Sequence, residues 1–429
     1  MTKAGWAVWG LMAALASVPA PAEAEMSGHG GPVRALAVAP SGVMAVSGSF
    51  DQSAIVWSLS AGASMQVVRF HDGAVNAVAV LPDGRFLTGG EDGRIALWRL
   101  REPEPLRVIE GHEGPVVALA VSADGGSIAS ASWDGTARIT PVEGGAGRVL
   151  KGHQGNVNAV AFHPDGRVVT AGYDGTLRVW PAADTESPAT IALPTPLNAV
   201  VVADGEIAAA GADGVVRLVG PDRQVRREVE TGPTPVIALA LSPDGSTVAA
   251  ASIGGAVALV DRASGRVRAN LVGPGLPVWS LAFRPGGDEL LTGGGDRLVR
   301  RWNARTGEHI GPVILSRPAE LTAGLTGSRG AEVFQACAAC HTLTPEGGNR
   351  AGPTLHGIFG RRIASVPGYN YSEAFRRMDI VWTPQTVAEL FTVGPSHYTP
   401  GTKMPEQTVN DPADRQALME FLEQATRPR

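Results

Sequence analysis

Two cysteines three positions apart, with a histidine directly after the second, make the run Cys337-Ala338-Ala339-Cys340-His341, which carries the most specific chemistry in the chain. Spaced one helical turn apart, two thiols can each add to a haem vinyl group, and the adjoining imidazole then lies where it can bind iron from one side. C-x-x-C-H is the pattern of c-type haem attachment. A zinc site would want four ligands and a thioredoxin-like site a βαβ setting, and neither is visible around these residues. The chain has only these 2 cysteines, so they read as one chemical site and not as a disulfide framework.

The elements that must hold such a site lie on either side. Gly330 to Ala336 reads as a helical lead-in, and Gln416 to Ala425 as an amphipathic helix whose apolar face, Met419 included, should be core. Between them stand Gly352-Pro353-Thr354-Leu355-His356-Gly357, Phe359-Gly360-Arg361-Arg362, Pro367-Gly368-Tyr369-Asn370-Tyr371, Val381-Trp382 and Tyr398-Thr399-Pro400-Gly401-Thr402-Lys403-Met404-Pro405. With these runs, residues 329 to 426 closely resemble class I cytochrome c of the mitochondrial type. The resemblance implies one covalent haem c on Cys337 and Cys340, with His341 and Met404 as the axial ligands of iron. It also implies that the Pro353 carbonyl holds the His341 ring N–H, and that Arg361, Tyr371 and Trp382 surround a buried haem propionate. A thioether opposite imidazole favours ferrous iron and raises the potential. Met378 and Met419 are the rivals for the sixth position. Two departures stand out. Phe375 occupies a place where the family has a small polar residue beside the haem, and Lys403 is the only lysine where the family has a ring of them. Residues 317 to 429 hold 11 basic and 11 acidic side chains, so this segment cannot steer to an acidic partner through net charge.

Upstream, the chain repeats. Trp57, Trp98, Trp180 and Trp302 end similar segments, with Thr140, Val219 and Val260 at the equivalent positions between them, in steps of 41, 42, 40, 39, 41 and 42 residues. Each unit shows an alternating apolar run (Val75 to Val80), a Pro-Asp-Gly turn (Pro82-Asp83-Gly84), a second run ending Thr88-Gly89-Gly90, a Glu91-Asp92-Gly93 turn, and a third run to the tryptophan position. A fourth run leads into Gly-His or its variants (Phe70-His71, Gly111-His112, Gly152-His153). Seven units of four short strands predict a propeller, and the motif set resembles the WD40 family over about 28 to 316. It is degenerate in three places: Thr140 replaces Trp in unit three, Gly-His is lost from units five to seven, and Gly254 stands where unit six should have its turn Asp. The turn aspartates (Asp51, Asp92, Asp134, Asp174, Asp213 and Asp296) and the Gly-His imidazoles are read as internal bracing. Few residues precede Gly28 once a leader is removed, so each blade is expected to be continuous in sequence. Glu308 to Ile314 then completes the seventh, and packed side chains join it to the first.

The propeller mouth is expected to carry Arg34, Asn76, Val117, Asn158, Asn198, Ile237 and Trp279, a column without histidine, cysteine or acid and therefore poor in metal ligands and acid–base groups. The residues before the turn Asp put Phe50, Trp133 and Tyr173 at loop tips, a candidate partner-docking surface as much as packing between loops.

The 429 residues, with 18% charged, 44% hydrophobic and 55 glycines, exclude both a disordered tail protein and a coiled coil. A formal charge of −5 gives no basic field for phosphate backbones, so nucleic acid is not an expected partner. Lys3, an apolar stretch from Trp6 to Ala16 and the triplet Ala22-Glu23-Ala24 read as a secretory signal peptide, the apolar run being too short to span a bilayer. The expected organisation is a signal peptide at 1–24, an all-β seven-bladed WD40-like propeller at 25–316, a linker at 317–328 and a small all-α class I cytochrome c domain at 329–429. The expected function is a periplasmic electron-transfer protein that exchanges electrons with redox protein partners and meets a membrane only through a partner complex. The alternative is an oxidoreductase whose propeller holds a substrate or second cofactor. Six-coordinate iron and the ligand-poor mouth favour an electron carrier over an enzyme.

Overall fold

The computed structural model describes residues 25–183, 186–273, 275–311, 328–338, 340–402, 404 and 407–427. The expected export signal at 1–24 and the linker at 317–328, Ser328 apart, lie outside the described residues.

Residues 26–303 form seven four-stranded antiparallel sheets. Blade one runs Val33–Val38, Met44–Ser49, Ala54–Ser58 and Ala63–Val68, and the later blades repeat that order. Alternating apolar residues on each strand pack against the neighbouring blades, so the core is a series of inter-blade layers. The turns are set by local chemistry. In Glu91-Asp92-Gly93, Gly93 has a φ of +76° and donates to the Gly90 carbonyl, and a Cβ there would strike the His112 carbonyl.

Within a blade the tryptophan, hydroxyl, imidazole and aspartate form one chain of hydrogen bonds. Trp98 Nε1 donates to Thr88 Oγ1 at 3.0 Å, His71 Nε2 lies 2.8 Å from that hydroxyl, and His71 Nδ1 lies 3.0 Å from Asp92 Oδ1. The same chain runs through Trp57, Ser47, His29 and Asp51, and through Trp180, Thr170, His153 and Asp174. Each buried polar group is satisfied by the next, which lets a polar string cross an apolar blade. Blades five and seven, without Gly-His, use arginine instead: Arg217 and Arg300 each reach the Asp four residues earlier, Asp213 and Asp296, at 2.6 Å.

Closure of the ring departs from the sequence expectation. The last sheet is ordered Met26–Ser27, Leu298–Asn303, Glu289–Gly294, Val278–Phe283, so the start of the chain supplies its fourth strand. Met26 pairs with Val299 and Ser27 with Leu298, while His309 bridges Trp302 farther along the same strand. The start of the described chain thus completes the seventh blade, and of the expected 308–314 run only the His309 bridge is seen, residues 312–314 lying outside the described residues. Two residues suffice because side chains hold them: Met26 is 1% exposed, and the buried Glu25 carboxylate pairs with Arg300 and His309.

The C-terminal region is helical: α1 Arg329–Ala338, α2 Glu373–Arg377, α3 Pro384–Val393, α4 Pro395–Tyr398 and α5 Pro412–Ala425. α1 and α5 cross where Gly330 lies against the Ala417 carbonyl, a place with no room for a Cβ, and Phe334 meets Phe421 at 5.4 Å between ring centroids. Among the described residues no helix is long and apolar enough to cross a membrane.

The helical domain rests on blade one. The Ala351 N–H donates to the Gly28 carbonyl at 2.7 Å, Ser64 Oγ to the Asn349 carbonyl at 2.5 Å, and Tyr369 bridges Val67 in parallel on the outer strand. Arg376 pairs with Glu104 of blade two at 2.8 Å.

Candidate haem site

α1 delivers the two thiols. It ends at Ala338, and the N–H groups of Cys340 and His341 both turn back to the Cys337 carbonyl, at 3.1 and 3.0 Å, which brings both sulfurs and the imidazole onto the wall of one cavity. That cavity opens to solvent on one side and holds about 1220 Å³ of space free of protein atoms, its open mouth included. Its wall is mostly apolar: Phe334 of α1, Val387, Leu390 and Phe391 of α3, and Leu418 and Leu422 of α5.

His341 is oriented from two sides. Its Nδ1 lies 2.7 Å from the Pro353 carbonyl, and its ring lies so close on Gly352 that a Cβ there would collide with it. The neighbouring loop is pinned by the Gly352 N–H donating to the Cys340 carbonyl at 2.7 Å. Burial pushes the His341 imidazole down to about 4, against the pull of the Pro353 carbonyl. With Nδ1 carrying the proton, Nε2 keeps its lone pair at neutral pH, as a metal ligand requires. Burial raises both thiols, Cys337 to about 12.

Met404 lies on the same wall. It follows a turn in which Thr402 N–H donates to the Thr399 carbonyl and Met404 N–H to Thr402 Oγ1, at 3.1 and 3.0 Å. Gly401 in that turn has a φ of +83° and abuts Ala374 of α2, so glycine is needed on both counts. Of the other methionines considered, Met419 is buried in the helical core and Met378 caps α2, and neither lines the cavity.

Arg361, Tyr371 and Trp382 share the wall with Pro353. A short ladder fixes two of them: Gly360 N–H donates to the Trp382 carbonyl and Trp382 N–H to the Arg361 carbonyl, at 2.8 and 2.9 Å. The Arg361 guanidinium donates to the carbonyls of His356 and Thr354, both at 2.7 Å. Phe375, fixed by the Ser372 N-cap of α2, lines the cavity and stacks on Tyr371 at 6.2 Å and 17°, while Tyr369 meets Tyr371 edge-on at 4.8 Å. Burial raises the Tyr371 hydroxyl to about 12, so it is a donor at neutral pH.

Sequence reasoning passed over one lining residue from the other domain. Arg69 of blade one stands on the cavity wall, and only the fold brings position 69 to position 351.

The propeller mouth is built by bulges. In all seven blades the inner strand loses register at its second residue, Arg34, Asn76, Val117, Asn158, Asn198, Ile237 and Trp279 in turn. Several of these side chains join neighbouring blades: Asn158 Nδ2 donates to the Leu197 carbonyl at 2.8 Å, Asn198 Nδ2 to the Val236 carbonyl at 2.9 Å, and Arg34 lies over the Trp279 ring at 5.3 Å. Phe50 meets Trp279 edge-on, and Trp133 Nε1 donates to Asn158 Oδ1. Phe50, Trp133 and Tyr173 remain 44%, 48% and 62% exposed. Among the described residues no three His, Cys, Asp or Glu side chains converge as a metal site.

Comparison with known proteins agrees with this division. The WD domain, G-beta repeat family matches residues 22–58, 62–99, 103–140, 145–181 and 265–303, and the cytochrome c family matches 327–426. Over 100 residues, 23% of this chain, the helical domain is 45% identical to a cytochrome c of Cochliobolus lunatus and 44% identical to one of Arabidopsis thaliana, covering 92% and 88% of those proteins. A cytochrome c of Gibberella zeae is 40% identical with 93% covered. Through its helical domain the chain therefore belongs to the cytochrome c family, the electron-transfer proteins with covalently bound haem c, and it carries that domain behind a WD40-repeat propeller.

Proposed function

We propose that the chain is a periplasmic electron-transfer protein with one haem c attached through Cys337 and Cys340 and held between His341 and Met404, the propeller serving as its docking platform. The observation that carries this reading is the shared wall: both thiols, an imidazole with Nδ1 engaged by Pro353, and a thioether face one apolar cavity. A haem bound there supplies one-electron chemistry at iron, and a histidine–methionine pair leaves iron no open position for substrate. Pro353 fixes the tautomer of His341, and the apolar side chains of α1, α3 and α5 would shield a bound haem from water. Tyr371 and Arg361 stand ready as donors to a carboxylate. Export rests on the leader-like residues 1–24, since covalent attachment of this kind is made outside the cytoplasm. Docking rests on the exposed Phe50, Trp133 and Tyr173, which share the end of the propeller where the Asp51 turn meets the haem domain.

Purified exported protein should keep one haem per chain through acid-acetone extraction, and Cys337→Ser with Cys340→Ser should abolish it. Met404→Ala should lose the iron–thioether charge-transfer band and lower the midpoint potential. Haem that extracts freely, or a Met404→Ala spectrum identical to the parent's, would refute the attachment and the ligand respectively.

A further inference from the structure

We propose that Arg69 of the propeller is part of the haem pocket and holds the potential of the haem up, so that the first blade is a component of the redox centre. This rests on the reading that the cavity takes haem c.

Arg69 follows the outer strand of blade one, and its guanidinium leaves the propeller. Nε donates to the Ala351 carbonyl at 2.6 Å, Nη1 donates to the Asp51 carbonyl at 3.1 Å, and the side chain also bonds the Tyr369 hydroxyl. Tyr369 donates to the same Ala351 carbonyl at 2.6 Å. Arginine and tyrosine thus clamp the loop whose next residues, Gly352 and Pro353, seat the His341 ring. The guanidinium stands on the cavity wall beside Cys340 and His341, and Cys340 Sγ itself rests on Gly30 of blade one, with no space for a Cβ between them.

The charge there is a fixed one. Burial works against it, but a guanidinium keeps its proton far above neutral pH and the Asp51 carboxylate favours the charge further, so Arg69 stays a cation. The Asp51 carboxylate, bonded to His29, Ser53 and the Gly30 N–H, keeps its own charge beside the site, so removing Arg69 takes away the cation and leaves that anion in place. Reduction of the haem adds one electron, makes and breaks no bond, and lowers the local charge by one. A cation fixed on the wall therefore favours the reduced form, and more so in a site of low polarity.

The test is an optical redox titration of full-length holoprotein carrying Arg69→Gln, Arg69→Lys, or the pair Ser64→Ala/Glu104→Gln. The pair removes two contacts between the domains and leaves the pocket cation in place. Arg69→Gln is expected to lower the midpoint potential at unchanged haem content, Arg69→Lys to restore most of it, and the control pair to match the parent. Amide exchange at Ala351 and Gly352 should quicken in Arg69→Gln. Should Arg69→Gln fail to accumulate, Arg69→Met keeps the length of the side chain without its charge. An unmoved potential in the neutral variants, or an equal drop in the control pair, overturns the role of Arg69 alone. A parent protein without covalent haem overturns both this inference and the function it rests on.

Discussion

The two-residue strand at the start of the described chain invites a sharp test, Met26→Ala. Met26 is 1% exposed and packs in a layer with Trp57, Leu291 and Val299, so the change removes a buried side chain from the seam between blades one and seven. Truncating a buried methionine to alanine costs about 2–5 kcal/mol. The backbone pairing to Val299 survives the substitution, which argues for the lower half of that range, about 3 kcal/mol. For a domain of this size that is a fall in melting temperature of roughly 6–12 °C. Six of the seven described tryptophans belong to the propeller, Trp382 being the other, so intrinsic fluorescence during urea or thermal unfolding reports mainly on the ring. A loss under about 0.5 kcal/mol, within the range of ordinary surface substitutions, would mean that the ring closes without this strand and that the 308–310 segment suffices.

Two further outcomes follow from the same geometry. Gly352→Ala places a Cβ against the His341 ring, an overpacking that costs about 1–3 kcal/mol or else displaces the imidazole. Holoprotein should show a shifted Soret band and lower stability, and a spectrum and melting curve like the parent's would contradict the seating of the ring. Acid should weaken the propeller in a defined window. Burial pushes His112 and His153 below their ordinary value, so the unfolded chain takes up protons that the folded one refuses, and stability is lost as pH falls beneath about 6.5. The loss continues through the carboxylates. Burial works to raise Asp174, but the Gln154 N–H, the Thr176 hydroxyl and His153 outweigh it and hold the carboxyl at about 2, so its contribution of about 1–2 kcal/mol, discounted for solvent screening, persists above pH 4 and disappears toward pH 2. Thermal unfolding from pH 7.5 to 3 should show a monotonic fall, and a flat profile would refute the bracing role of these pairs.

Different parts of the molecule were legible in the sequence for different physical reasons. A blade buries its strands against two neighbours, so alternation and turn residues recur at a fixed period even where the signature side chains are gone. Units five and six lack both Trp and Gly-His and fall outside the family match, yet Leu197–Ala203 and Val236–Leu241 still open four-stranded sheets. The candidate haem residues sit in short local motifs whose residue types suggest their chemistry, and the fold brings them to the wall of one cavity. What escaped were contacts without local pattern. Met26–Ser27 is too short for any periodicity, and its identity as a strand comes from Leu298 and Val299 at the far end of the ring. Arg217 and Arg300 replace histidine by reaching from another strand. Arg69 shows nothing unusual among its neighbours and acquires its place only when residue 351 arrives.

These contacts bear on what the propeller does for the haem. A flexible tether would merely raise the concentration of one module near the other. Here Gly28, Ser64, Arg69 and Glu104 of the propeller each hold a polar group of the haem domain. At about 0.5–1.5 kcal/mol apiece, the Gly28, Ser64 and Arg69 bonds with the Tyr369 bridge favour one arrangement by a few kcal/mol before any apolar packing is added, and the exposed Glu104 pair adds about 0–1 kcal/mol. The segment from Glu25 to Gly31 serves both ends of that arrangement: Met26 and Ser27 close the ring, while Gly28 and Gly30 receive Ala351 and Cys340. Loosening the ring therefore moves the wall behind the second cysteine. A partner docked on the Phe50 loop tip, as proposed, would meet a haem domain already held in place, because Asp51, the next residue, lies against the same contact. On this reasoning Met26→Ala should disturb the haem spectrum at temperatures below the main unfolding transition, and Trp133→Ala, remote from the contact, should leave that spectrum alone.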